Sequence, residues 1–536
     1  MRRKLANKRA KASQKRPHKQ DGPIQPSAPA GPGSEQFLRV HSKRILVLLC
    51  AYAGLRIWIF AAAFPIFNNI DEQSHLAAIE MYGHGQWPGR ELPRLDQRLA
   101  RFFALYGSPE YLIPADRLTA YGWVPFYQLP GEVSATRTYR TYLHFLNQPN
   151  YEAQSTPLYY LLGGAWYRVG EALGMPEWEL AYWIRFLNPV AYVLLIWASY
   201  RFVRTVYPER AFLWLGVPGL LAVFPQDVYF GLSRDVLSAP MSAIALLLMV
   251  RAEEDGGRKS WPLVASALLV GLTFLVNVSN CVLYGAFAVT LWFWSRRSLG
   301  ARLNAIATGT GAVLASIALP LIWMLRNHAV FGDFTGSRAK IEVLSWTIKP
   351  ASQIFHHPLF SFGGLFYFLS HLWEEFWRGE YFWHSAPMRW PVADWFYLIS
   401  SALTVIVFAT CFIRGWKCSV PKERMVEIQA LLVVVASGLF MAAISLPFDF
   451  HKCPNPSQEH PFFVSGRIIS GALLPFALIY VKGLGLLLAP FRKWVSPVTI
   501  LACLMLFITA TELQVRGGVF SSPNNFFALR NWRQEH

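Results

Sequence analysis

Ile45–Pro65, ILVLLCAYAGLRIWIFAAAFP, is the first of a long series of apolar runs, each near the length an α-helix needs to cross a bilayer. Others fall at about 183–203, 211–230, 236–250, 261–277, 279–295, 304–325, 394–413, 426–446, 466–489 and 497–514. In hydrocarbon, every backbone N–H and C=O must be satisfied within the chain, which leaves only helices and closed barrels; runs this long select helices. A further apolar stretch opens at Pro157, where proline suits a helix's first turn. The pattern predicts an all-α polytopic membrane protein with eleven or twelve segments. Only 15% of residues are charged, whereas a soluble chain carries about a quarter.

The formal net charge of +18 is concentrated at the start of the chain, in Arg2, Arg3, Lys4, Lys8, Arg9 and Lys11 among others. Prolines 17, 23, 26, 29 and 32 oppose a helix there, so residues 1–44 read as a disordered basic tail. Such a tail holds the N-terminus in the cytoplasm of a plasma (inner) membrane protein, and nucleic acid is not an expected partner. Residues 45–515 form the transmembrane domain, with long external loops at about 66–156 and 327–392, and 516–536 is a short C-terminal tail. The basic clusters at Arg201–Arg210, Arg251–Lys259, Arg296–Arg302, Arg414–Arg424 and Arg492–Lys493 all read as cytoplasmic, and they alternate correctly either if 157–173 does not cross fully or if one cluster lies outside, which leaves the side of the C-terminus open. The six cysteines are scattered, mostly in or beside apolar runs and without CxxC spacing, which argues against a disulfide framework or a zinc site.

Chemistry concentrates where the chain first leaves the membrane. Asp71, Glu72 and His75 lie just past the first run, followed by the helix-like stretch Leu76–Tyr82, read as lying along the membrane surface. Asn69 is placed to cap that helix, with Glu72 closing a capping box. Asp71 and His75 are four residues apart and share a helix face. At a helix start, free N–H groups attract phosphate, and a carboxylate beside them can act as a base on a phosphate-linked substrate. His75 and His84, with Asp71 or Glu72, offer ligand types for a possible divalent metal ion, but the spacing is loose and no metal ligand is assigned.

Asp71-Glu72 with His75, and further motifs in order along about residues 45–490, resemble those of the GT-C superfamily of membrane glycosyltransferases, most closely a bacterial branch of multispanning proteins of unknown function. Protein O-mannosyltransferases and the aminoarabinose transferase of lipid A are more distant relatives. Asn69-Ile70-Asp71-Glu72-Gln73-Ser74-His75 followed by Gly83-His84-Gly85-Gln86-Trp87-Pro88 is similar to the family's "P-x-DE-x-x-H … G-x-x-P". Ser155-Thr156-Pro157-Leu158-Tyr159-Tyr160 is similar to "PPLYY", and Pro225-Gln226-Asp227 through Ser233-Arg234-Asp235 to "P … s-x-x-x-N-D". Arg326-Asn327 with Gly332-Asp333 matches "RN-x-x-x-x-GD", Trp377–Trp383 echoes "FWG-x-FGW", and Gly466-Arg467 echoes "GRY". The chain departs from the pattern at Asn69, Thr156 and Ile468, so the resemblance carries no expectation at those positions.

The resemblance implies a GT-C-like bundle with amphipathic interfacial helices in long extracytoplasmic loops. It also implies transfer of a sugar from a polyprenyl-phosphate donor to an extracytoplasmic glycolipid, polysaccharide or protein acceptor. On that reading Asp71 is the base of an inverting displacement and Glu72 its neighbour. His75, Tyr159, Arg234, Asp235, Arg326 and Arg467 bind substrate, and membrane lipid is a partner. Arginine suits the leaving phosphate because its guanidinium offers paired N–H donors in fixed geometry. His460 and Lys452 are further cationic candidates in the last large external loop. Two other readings stand beside this one: a transporter or flippase of a lipid-linked or small solute, and an inactive assembly protein that keeps the GT-C fold. Transporters commonly show internal repeats or paired mid-membrane charges; no repeat is visible, and Arg56 is the one charge inside the first run.

Overall fold

The computed structural model describes residues 32–535 apart from 69, 70, 257, 298–301, 418, 452, 454 and 455. The chain is all-α: among the described residues the strands are four two-residue pieces in two antiparallel pairs. Nine helices among these residues are long and apolar enough to cross a membrane, and two shorter apolar ones, Ala211–Val223 and Trp261–Phe274, accompany them, eleven in all. Pro391, Pro421 and Pro497 each sit in the first turn of a long helix, where the missing N–H costs no hydrogen bond.

The first helix runs Pro32–Ala63, so it begins at Pro32 rather than Ile45, and residues 32–44 are helical rather than tail. Tertiary contacts account for the extension. The Glu35 carboxylate accepts from the backbone N–H of Ala211 at 2.9 Å, Leu38 is buried, and Arg39 pairs with Glu209 at 2.9 Å. The rest of the basic tail, residues 1–31, lies outside the described residues.

Ion pairs mark the two ends of the bundle. At one end Arg39 meets Glu209, Arg297 meets Glu253 at 2.9 Å, and Lys422 meets Glu254 at 2.7 Å, gathering the basic clusters on a single face. At the other end lie Asp71, both long loops and the C-terminal segment, where Ser522 hydrogen-bonds Glu110 at 2.5 Å and Tyr127 donates to the Pro523 carbonyl at 2.5 Å. Helix Leu158–Ala172 does not cross. Its first N–H donates to Leu275 O at 3.1 Å, its body packs on Glu72–Gly83, and the chain beyond it reaches Glu177, which Arg98 of the first loop engages. Gly164 permits this packing, because a Cβ there would sit 2.6 Å from the Gly83 nitrogen. With that helix kept at one end, the eleven others alternate, and the C-terminal segment finishes at the end opposite Glu35. The terminal residues 516–535 are thus a packed 3-10 turn and helix rather than a free tail.

Helix Glu72–Gly83 does not lie free on a surface. Glu72, His75, Leu76, Ala77, Ala78, Ile79 and Tyr82 are all buried, because the first loop and helix Leu158–Ala172 enclose it. Arg56, the charge inside the first span, is partnered: its Nε and Nη2 both contact Glu512 at 2.5 Å, and Arg516 joins the same carboxylate at 2.6 Å. A buried guanidinium requires such a partner, since removing one member leaves an uncompensated charge.

Candidate active site

The site is assembled from segments far apart in sequence. Asp71 is the residue before helix Glu72–Gly83 and has φ 56°, a left-handed conformation costly for most side chains but tolerated by Asp and Asn. Its carboxylate is half-buried and accepts a hydrogen bond from the Tyr151 hydroxyl at 2.5 Å. Burial and the adjacent Asp71 carboxylate hold the Tyr151 hydroxyl well above its usual value, so it remains the donor in that pair.

Glu72, one residue on, is fully enclosed. Both oxygens engage Arg185, each at 2.7 Å, and they also accept from Phe67 N at 2.8 Å, Asn68 N at 3.2 Å and Leu232 N at 2.9 Å. It is the first helical residue rather than the third, so a capping box is not formed; Asn69 lies outside the described residues. With five donors on one carboxylate, Glu72 has little capacity left for substrate.

Glu152 organises the opposite wall. It is buried and accepts from Lys340 Nζ at 2.6 Å, Ser155 Oγ at 2.7 Å and Tyr160 Oη at 3.1 Å, while Arg234 Nη1 lies 3.3 Å away. Burial alone would push this carboxyl up, but Lys340 and Arg234 hold it well below the usual carboxylate range. Lys340 reaches it from the short helix Arg338–Val343. The turn before that helix is tied by Asp333, which accepts from the backbone N–H groups of Thr335, Gly336 and Arg338 at 2.6, 2.7 and 3.0 Å.

Arg467 closes the third side. Its Nη1 lies 3.1 Å from Asp235, itself buried and held by Asn277 at 2.5 Å. Its Nε lies 3.4 Å from Glu380 without making a hydrogen bond. Glu380 is positioned by Gly379, whose φ of 91° and close approach to Asp227 exclude any side chain: a Cβ would sit 1.9 Å from the Asp227 carboxylate. Asp71, Asp235, Glu152 and Glu380 all act electrostatically on the Arg467 guanidinium. Arg467 and Arg234 therefore share one acidic surround and keep N–H donors to spare.

His75 sits behind these groups, 1% exposed. Its Nδ1 is 2.9 Å from the Tyr160 hydroxyl, which donates onward to Glu152, so the hydroxyl oxygen accepts from Nδ1–H and Nε2 is left as a bare acceptor. Nε2 is buried and has no hydrogen-bond partner. Burial lowers the ring's pKa from 6.5 to about 4, and the charges of Arg234 and Arg467 add to that against the pull of Glu152 and Asp71. A pH prediction follows from the sign. Below pH 6.5 the unfolded chain takes up a proton that the folded one refuses, so stability falls between pH 6.5 and about 4 and is flat above, by on the order of 3 kcal/mol in total. Thermal melting of solubilised protein across that window should be steeper for wild type than for His75→Gln, and parallel profiles would refute the assignment.

Six of the residues singled out in the sequence thus meet here: Asp71, His75, Tyr159, Arg234, Asp235 and Arg467. Tyr159 packs edge-on against His75 at 6.5 Å. Arg326 is not among them; it lies near the end of helix Arg302–Phe331, donates to Pro88 O at 2.6 Å and sits over the Trp87 and Phe331 rings, fastening the first external loop to that span. His84 is half-exposed near Glu171 at 3.5 Å, His460 stacks on Tyr367 at 4.4 Å, and Lys452 lies outside the described residues. Among the described residues no group of three or more His, Cys, Asp or Glu is arranged to hold a metal ion. Tyr151, Glu152 and Lys340 were not anticipated, and Glu380 lay inside the Trp377–Trp383 motif without being given a role. For Tyr151 and Glu152 the signal was their place as an aromatic–acidic pair directly ahead of Ser155–Tyr160.

Compared with known proteins, the chain matches no protein-family model and no curated protein. Among solved structures, the crystal structure of the Archaeoglobus fulgidus oligosaccharyltransferase in complex with zinc and sulfate aligns with a TM-score of 0.36 and 14% identity. The alignment covers 69% of this chain and 44% of that one, so the chain spans less than half of that protein's length. Likeness at this level carries neither fold nor chemistry across; the fold established here is an all-α polytopic membrane bundle.

Proposed function

We infer that the protein is a GT-C-like membrane glycosyltransferase that moves a sugar from a polyprenyl-phosphate donor to an acceptor at the bundle end bearing Asp71. The observation that carries this reading is the juxtaposition of a strained, solvent-reachable carboxylate with two arginines that have unused N–H donors. In the proposed step, an acceptor hydroxyl loses its proton to Asp71 as its oxygen bonds the anomeric carbon. The bond from that carbon to the phosphate oxygen breaks, leaving polyprenyl phosphate with the added negative charge. Arg234 and Arg467 receive that charge through N–H donors already fixed by Glu152 and Asp235. Neutral His75, enclosed behind the two arginines, supports them through Tyr160 and Glu152. Inversion at the anomeric carbon follows from a single displacement by one base.

The basic clusters at the opposite end support a cytoplasmic reading of that face and an outside reading of the Asp71 end, and the membrane proposed is the plasma (inner) membrane. The acceptor is a glycolipid, a polysaccharide or a protein.

The test is transfer by the purified protein in lipid from a panel of hexosyl and pentosyl polyprenyl phosphates, followed by release of free polyprenyl phosphate. Transport of a solute without any sugar transfer would overturn the reading in favour of a transporter. Arg234→Gln is expected to raise the donor KM by about tenfold to a hundredfold, the scale of a lost hydrogen bond between charged groups, with a smaller change in kcat. An unchanged donor KM would remove Arg234 from the phosphate site.

A further inference from the structure

A second site lies away from Asp71, where the C-terminal helix Phe526–Glu535 meets helix Glu177–Arg185. A cavity of about 530 Å³ opens there, with Trp183, Phe186 and Phe526 as its apolar wall and Arg530, Arg533 and Glu179 at its rim. It shares no lining residue with the Arg234–Arg467 site. Arg533 is committed to Glu179 at 2.6 Å. The Arg530 side chain is exposed and lies over the Phe526 ring at 5.9 Å.

The surroundings fix what kind of molecule fits. Trp183, Phe186, Val190, Leu194 and Trp197 follow a three–four spacing and so form one stripe along the span Glu177–Val206. Val190, Leu194 and Trp197 are 63%, 39% and 43% exposed, large apolar groups with no protein covering them on a membrane-crossing helix. Trp58 of the first span, in contact with Phe186 at 5.8 Å and Phe527 at 6.2 Å, extends the same surface. Trp183 and Trp166 stack at 4.2 Å and donate to each other's carbonyl at 2.9 Å, the amphipathic pairing suited to the level of lipid headgroups. An acyl-length apolar strip therefore runs up into a cavity whose mouth holds two guanidinium groups and one carboxylate.

We propose that this cleft binds an anionic membrane phospholipid, its acyl chain along the Trp183–Trp197 stripe and its phosphate at Arg530, with Arg533 held in place by Glu179. The net positive rim selects a lipid whose headgroup carries no compensating cation. The bound lipid ties the C-terminal helix to the bundle.

The test uses the full-length protein in detergent, titrated with phosphatidylglycerol or phosphatidylcholine of the same acyl chains, with retained lipid counted by native mass spectrometry. Phosphatidylglycerol should be retained preferentially. Arg530→Gln, a change at an exposed position, should cut that retention about fivefold, the effect of one basic side chain at an anionic lipid surface, and leave phosphatidylcholine unaffected. Equal retention of the two lipids, or an Arg530→Gln protein that retains phosphatidylglycerol like wild type, would overturn the proposal. So would displacement of the lipid by soluble glycerol 3-phosphate at the same concentration, which would show a phosphate site rather than a lipid site.

Discussion

Replacing Asp71 with Asn is expected to lower sugar transfer by about 10²–10⁴-fold, the range that a positioned general base contributes, while leaving the fold intact. Asn is the variant that isolates the charge. It has the same shape, it tolerates the left-handed backbone that Asp71 adopts at φ 56°, and its carbonyl can still accept from Tyr151. Alanine would confound the result, since its Cβ in that conformation strains the backbone by roughly 1–2 kcal/mol. The measurement is kcat for transfer from a polyprenyl-phosphate sugar, beside a melting curve showing Asp71→Asn as stable as wild type. A fully active Asp71→Asn protein would remove Asp71 as the base. Tyr151→Phe serves as the companion. Tyr151 orients Asp71 without touching the reacting atoms in the proposed step, so its loss should lower kcat by less than Asp71→Asn and leave the donor KM unmoved.

The opposite outcome is expected one residue along. Glu72→Ala should leave little folded protein to assay, because it strips the fully buried Arg185 of its bidentate partner and leaves Phe67 N, Asn68 N and Leu232 N without an acceptor. Breaking one side of a buried ion pair costs about 3–5 kcal/mol, against a total stability of about 5–15 kcal/mol for a typical protein. Arg185→Leu should fail in the same way, by orphaning the carboxylate instead. The readout is the fraction of protein that remains monodisperse after extraction and its melting temperature. A Glu72→Ala protein that melts like wild type and loses only transfer would move Glu72 into the chemistry and weaken the case for Asp71 alone. The adjacent carboxylates thus make a paired control: one variant inactive and folded, the other unfolded.

Much of the candidate site was legible in the sequence as separate pieces. Asp71 and His75 stood out as ionisable groups where the chain first leaves the membrane, and Arg234, Asp235 and Arg467 through the motifs that resemble the GT-C pattern. Glu72 also stood out, along with a local explanation in helix capping; its carboxylate does bind backbone N–H groups ahead of the helix, at Phe67 and Asn68. Its main partner, Arg185, is 113 residues away, and no local pattern marks a pair at that separation. Arg326 stood out for its motif and turned out to hold the first external loop to the end of helix Arg302–Phe331 through Pro88. Glu152 and Lys340 did not stand out, because each lies in a mixed polar loop where charge is ordinary until the fold buries it.

What the sequence determined by itself is the architecture: a helical bundle that crosses a membrane many times, with its long loops together at one end. That requirement is local, since each apolar run must satisfy its own backbone hydrogen bonds, and basic residues mark the run ends one by one. The tertiary structure alone decided that helix Leu158–Ala172 stays at one end, and with it where the C-terminal segment lies. It also decided which buried charges meet. Ion pairs such as Arg185–Glu72, Arg56–Glu512 and Arg467–Asp235 join residues 113, 456 and 232 positions apart. Their formation depends on the packing that excludes water around both partners at once, and that is a property of the assembled bundle rather than of any stretch of chain.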